Sequence, residues 1–145
     1  MPVKYSIENK GGFALVTACG EIASLKHALE YAESCIRDIT RLGLRKVLID
    51  DREVLGSAMS FFDSYELATF MERAANLRQV KLALVVPPQR TRSVKDLETI
   101  IRNRGFSFLG FNSVVDARDW LMNDNLPKRG QKQSLIKKSD CANYS

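Results

Sequence analysis

The segment Lys46-Val47-Leu48-Ile49-Asp50-Asp51 constrains this chain most. Three consecutive branched apolar residues, with a base before them and two acids after, read as a strand buried on both faces. Such strands occupy the interior of a mostly parallel sheet. Beyond it the chain passes through Gly56 to Ser60-Phe61-Phe62-Asp63-Ser64-Tyr65. Ser60 is placed to cap the free N–H groups of a helix, and Asp63, three residues on, suits the positive end of that helix. A strand ending in acid, a loop and a serine-bearing helix start make a polar rim on a rigid base. That rim lies at the strand C-termini, where open α/β sheets place their ligands.

The flanking segments supply the rest of such a sheet. Val3, Tyr5 and Ile7 alternate with Lys4, Ser6 and Glu8, the pattern of a half-buried strand. Asn9-Lys10-Gly11-Gly12 is turn chemistry, and residues 13–19 resume as an apolar strand, so the chain opens with a hairpin. Over residues 24–42, Leu25, Ala28, Leu29, Ala32, Cys35, Ile36, Ile39 and Leu42 recur at helical spacing, and Gly43 supplies a left-handed stop. The second helix, over residues 61–75, is expected to turn Phe62, Tyr65, Ala68 and Ala75 inward, with Met71 or Phe70. Residues 81–86 form another buried strand, stopped by Pro87-Pro88. Ser93 and Asp96 are expected to cap a third helix with Val94, Leu97, Ile100 and Ile101 inward, ended by Gly105. Residues 106–111 are the last strand, and Ser113 with Asp116 caps a fourth helix carrying Val114, Ala117, Trp120 and Leu121.

The order is β-β-α-β-α-β-α-β-α. Strands joined by crossover helices must run parallel, so the expected fold is a single α/β domain over residues 1–125, with a mixed, mostly parallel sheet of about five strands and about four helices. Residues 126–145 carry five bases against Asp140 alone, so four of the five net positive charges belong to this basic tail. It holds too few apolar groups to offset its ordering entropy and is expected to be disordered. The folded part is near neutral, and aromatic residues are not interleaved with the tail's bases, which argues against nucleic acid as a partner.

Cys19, Cys35 and Cys141 form no CxxC pair, so neither a disulfide framework nor a zinc site is indicated. Cys19 and Cys35 sit in apolar periodic segments and read as small core residues. His27, the single histidine, reads as a solvated surface residue, because no nucleophile or acid is placed beside it. No apolar run approaches the roughly 20 residues needed to span a membrane. The N-terminus lacks the apolar core and cleavage site of a secretory signal, so the expected location is cytoplasmic.

The usual signatures of catalysis are missing: there is no P-loop, no GxGxxG after the first strand, no GxSxG and no HExxH. The expectation is a protein that is not an enzyme and that carries no metal or other cofactor. Asp50 and Asp51 read as loop-supporting acids, one or the other hydrogen-bonding loop amides and pairing with Arg52 or Arg45. A phosphoaspartate receiver has the same layout, but it needs acids after the first strand and a lysine after the last. Here those strands end in Gly11, Cys19 and Gly110-Phe111-Asn112. Ser57, Ser60 and Ser64 remain. A phosphate at a helix N-terminus is electrostatically tolerated and changes the surface by almost two charges, while a plain cap is the simpler role.

The ordered motifs resemble the STAS family of anti-anti-sigma factors and sulfate-transporter tails, including its SpoIIAA-like branch, over nearly all of residues 3–122. Gly20-Glu21-Ile22 before a helix with Leu25 and Leu29 is similar to the family's approach to its first helix. Val47-Leu48-Ile49-Asp50-Asp51 is similar to its central strand, and Phe62-Asp63-Ser64 to its apolar-Asp-Ser helix start. Phe108, Phe111, Ser113, Ala117, Trp120 and Leu121 are spaced like the end of the domain. The second serine and the glycine of the anti-anti-sigma pattern are absent, since Tyr65-Glu66 follows Ser64.

The resemblance implies a non-enzymatic regulatory module that binds a protein partner, with Ser57, Ser60, Asp63 and Ser64 as partner-binding or phosphoacceptor positions. Phe61, Phe62 and Tyr65 exceed what one inner helix face requires. They are expected to line a small apolar, lipid-like ligand site or to form a homodimer face.

Overall fold

The chain is described by a computed structural model, which covers residues 3–56 and 60–123. β1 (Lys4–Asn9) and β2 (Ala14–Ile22) form the opening hairpin, followed by α1 (Leu25–Leu42), β3 (Lys46–Gly56) and α2 (Phe61–Glu72). β4 (Lys81–Val85), α3 (Thr91–Asn103), β5 (Ser107–Phe111) and α4 (Val114–Met122) complete the order, with 3-10 turns at Ala75–Gln79 and Pro88–Arg90. The sheet runs β1-β2-β3-β4-β5, antiparallel between β1 and β2 and parallel elsewhere. This is the α/β architecture expected from the sequence, with β3 at its centre.

Because each strand lies beside its predecessor, right-handed crossovers carry α1, α2 and α3 to a single face of the sheet. Val47 of β3, Leu82 and Leu84 of β4, and Phe108 of β5 pack there against Ile39, Leu67, Met71, Val94, Leu97 and Ile101. Intervening residues turn the other way, and Leu48, Ala83 and Val85 meet Ala117 and Leu121 of α4. β3 is thus apolar on both faces because helices cover both.

Local chemistry sets the element ends. Ser24 Oγ accepts from His27 N–H at the start of α1, and Gly43 stops that helix at φ 64°, a conformation without penalty only for glycine. Ser113 Oγ accepts from Asp116 N–H at the start of α4, as expected. On the edge strand β5, Gly110 N–H donates to Glu98 Oε1 of α3 at 3.0 Å. A Cβ at Gly110 would lie 2.3 Å from Val94 Cγ1, so glycine is what lets α3 settle onto this strand.

Four expectations are corrected. β3 does not end at Asp51 but continues to Gly56, pairing with β2 as far as Ile22. The inner face of α2 is Ser64, Leu67, Ala68 and Met71, whereas Phe62 and Tyr65 are exposed and Ala75 lies in the following turn. Packing of Leu67, Ala68 and Met71 against α3 and the sheet sets this phase, and Ser64 is the residue that continues the same stripe toward the N-terminus. α3 begins at Thr91, so Ser93 sits inside its first turn and does not cap it. Cys19 is exposed, on the outward side of β2, and only Cys35 is buried. The expected tail over residues 126–145 lies outside the described residues.

Leu48 is fully buried between β3 and α4, and Leu55, farther along the same strand, is 68% exposed. Leu48→Ala is expected to cost about 3 kcal/mol in urea unfolding, and Leu55→Ala less than about 0.5 kcal/mol.

Candidate functional site

β3 outruns its neighbour. Its pairing with β4 ends at Asp50 opposite Val85, while its pairing with β2 continues to Gly56. Asp51 is therefore the first β3 residue past the end of β4, at the point where β4 turns away through Pro87 into the 3-10 turn ending at Arg90. A register shift between Thr17 and Cys19 places an extra β3 residue here. Such a bulge resets the alternation, and Asp51 and Val54, three apart, both turn toward the helix layer. Val54 packs on Ala28 and Asp51 points inward beneath α1.

Asp51 is 3% exposed and accepts a hydrogen bond from Tyr31 Oη of α1 at 2.6 Å. Burial disfavours its charged form and pushes the carboxyl up to about 6, against the pull of Tyr31 and the Arg90 charge. The same burial, with the Asp51 charge beside it, raises the Tyr31 phenol well above its usual range. The Cys35 thiol, one helical turn on, is pushed up to about 12 by burial, which leaves it protonated and unreactive. Arg90 has a buried Nη1 without a hydrogen-bond partner among the described residues.

Asp50 faces the opposite way and behaves differently. Arg52 grips it with Nε at 2.9 Å and Nη2 at 2.8 Å, and Arg52 N–H donates to it at 3.2 Å. Those bonds hold its carboxyl below the usual range. Asp50 therefore has the structural pairing expected of it, whereas Asp51 pairs with neither Arg45 nor Arg52 but with a tyrosine.

Asp51, Tyr31 and Arg90 stand at the wall of an apolar cavity of about 130 Å³ between the helix layer and the sheet. α1 contributes Ala28, Ala32, Cys35 and Ile39 to it, α2 contributes Leu67 and Met71, and the sheet contributes Ile49, Leu82 and Leu84. Its cause is visible in the side chains. α2 packs closely on α3 but more loosely on α1, and α1 presents small residues at Ala28, Ala32 and Cys35 to that seam.

The rim beyond β3 divides between surface and interior. Ser60 and Asp63 form a reciprocal capping box, with Asp63 N–H donating to Ser60 Oγ at 3.0 Å and Ser60 N–H to Asp63 Oδ2 at 3.4 Å. Ser60 is exposed. Ser64 is 1% exposed and lines the cavity, so its hydroxyl is not offered at the surface. Phe61, Phe62 and Tyr65 do not line the cavity; they are 61%, 66% and 48% exposed. The Arg104 guanidinium lies over the Tyr65 ring at 4.8 Å and is held by Thr69 and Glu72. Ser57 lies outside the described residues. Among the described residues, no three His, Cys, Asp or Glu side chains gather as a metal site.

Sequence reasoning did not single out Tyr31 or Arg90. The small-residue stripe of Ala28, Ala32 and Cys35 was present in the helical periodicity, but no pattern links Tyr31 to an acid 20 residues away.

Comparison with known proteins places the fold. No family model matches the chain, and no curated protein matches it. Among solved structures, an anti-sigma factor antagonist from Mycobacterium paratuberculosis superimposes with a TM-score of 0.55 and 17% identity, covering 82% of this chain and 93% of that one. An uncharacterized protein with a SpoIIAA-like fold from Shewanella loihica gives a TM-score of 0.44 and 18% identity, covering 83% and 94%. The fold of this chain is STAS-like. No helix among the described residues is long and apolar enough to cross a membrane.

A carboxyl raised from 3.8 to about 6 binds its proton more tightly in the folded state. Its contribution is fully present below pH 4 and is lost as pH rises through 6, by roughly 3 kcal/mol. Asp38 and Asp50, held low by Tyr5 and Arg52, act in the opposite sense at lower pH. Asp51→Asn is therefore expected to abolish the fall in stability between about pH 4 and 6, measured by urea unfolding across that range.

Proposed function

We propose that the protein is a non-enzymatic cytoplasmic regulatory module that binds a protein partner through the surface where β3 and α2 meet. The observation that carries this reading is the exposed apolar surface of Phe61, Phe62 and Tyr65 on the first turns of α2, with Leu55 exposed near the end of β3. Large apolar side chains left in water together are a cost to the isolated domain, and burial against a partner removes it. The capping box at Ser60 and Asp63 fixes the start of α2, so the patch is held on a rigid base. The anti-sigma factor antagonist with the same fold supports a regulatory role.

Of the two described candidate serines, Ser60, rather than the buried Ser64, is the hydroxyl within reach of a modifying enzyme on this rim. A phosphate there would add nearly two negative charges beside Asp63 and alter the patch margin without entering the core. Asp63 serves the surface by holding the cap, and Asp50 serves the strand beneath it through Arg52.

Phe61→Glu and Phe62→Glu test the reading, because both side chains are exposed and their replacement leaves the core intact. Each variant is expected to lose, by tenfold or more, the proteins captured by immobilised wild-type chain, with stability changed by less than about 0.5 kcal/mol. Ser60→Asp is expected to change capture in the same assay. Capture profiles identical to wild type for all three would remove this surface from the proposal. A wild-type dimer that both glutamate variants reduce to monomer in light scattering would assign the patch to a second copy of the chain.

A further inference from the structure

We propose that the cavity between α1, α2 and the sheet binds a small organic monoanion, an apolar body bearing one carboxylate, with the carboxylate at Arg90. This inference stands apart from the partner-binding surface and does not depend on it. Three observations lead to it.

The first is space. A cavity of about 130 Å³ is close to the roughly 150 Å³ engineered cavities that stay dry and accept benzene. The occupant's apolar body is therefore about six carbons in size. The cavity opens toward solvent, and the small side chains of α1 leave room in it that a larger residue would fill.

The second is an unanswered hydrogen-bond donor. Arg90 lines the cavity, and its buried Nη1 has no hydrogen-bond partner among the described residues. A guanidinium N–H removed from water without an acceptor is costly, and an anionic oxygen at that point restores what burial removed. Asp51 feels the Arg90 charge but makes no hydrogen bond to this nitrogen.

The third is the neighbouring acid, which limits the anion. A dianion such as phosphate would meet the Asp51 carboxylate across a low-dielectric wall, and two like charges there are strongly disfavoured. A monoanion meets about half that repulsion, and its single charge is matched by the single charge of Arg90. Leu55 and Gly56, where β3 overhangs, also line the cavity and mark its route to solvent.

Hexanoate and hexanol, equal in apolar length and different in charge, provide the test on the full chain. Titration followed by methyl NMR is expected to show saturable shifts at Ile39, Ile49 and Leu67 with hexanoate. Hexanol should bind at least tenfold more weakly. Arg90→Gln should weaken hexanoate at least tenfold and leave hexanol unchanged, and Ala32→Leu, which fills the cavity, should weaken both. Equal affinity of the wild-type protein for the two probes would overturn the role of Arg90. No shift at the cavity methyls with either probe would overturn the site itself. The wild-type comparison needs no variant to fold.

Discussion

The whole structure depends on β3 being buried from both sides. Val47 and Leu48 have no exposure at all, yet they point in opposite directions, so neither face of the sheet is free to meet water. Three crossover helices cover one face, and the single terminal helix α4 covers the other. Without α4, Leu48, Ala83 and Val85 would lie bare, and the hydrophobic contribution of the central strands would fall by about half. The described domain is held together by this two-sided clamp, supplemented by charge contacts at its margins, such as Lys81 beneath Trp120 and Arg78 over Phe106.

The clamp has one irregularity, and the features of the candidate site collect around it. Past Asp50, β3 has no β4 to pair with and leans on β2 alone. The strand's own alternation, Val47, Ile49, Asp51, turns an acid into the helix layer, where Tyr31 meets it, and the bulge just beyond brings Val54 back to the same face. A carboxyl there is a poor choice for stability, since an apolar residue of similar size would pack without a desolvation cost. The same region leaves a void and an unsatisfied guanidinium nitrogen. Departures from good packing and full hydrogen bonding that fall at one spot are what a binding function demands of a fold.

Outside the clamp, the start of α2 combines two opposing features. Its backbone is well satisfied, with each partner of the capping box serving the other, yet its side chains leave two phenylalanines in water. Rigid backbone under exposed apolar surface lowers the ordering cost of an encounter, because little has to be fixed when a partner arrives.

What the sequence determined by itself was the order and kind of the elements, because local periodicity and turn chemistry act over a few residues. Gly43 ends α1, Ser60 and Asp63 open α2, and Ser113 opens α4 as their neighbours dictate. Only the tertiary structure decided the phase of α2 and the geometry of the site. Phe61, Phe62, Ser64 and Tyr65 read alike as an apolar and serine-bearing helix start, and docking of Leu67, Ala68 and Met71 on α3 and the sheet selected Ser64 for the interior. The bulge that brings Val54 in beside Asp51 depends on register with β2, and the contacts of Asp51 with Tyr31 and the Arg90 charge join residues far apart in the chain. Such pairings are set by how the layers close on one another, and local patterns of spacing do not carry them.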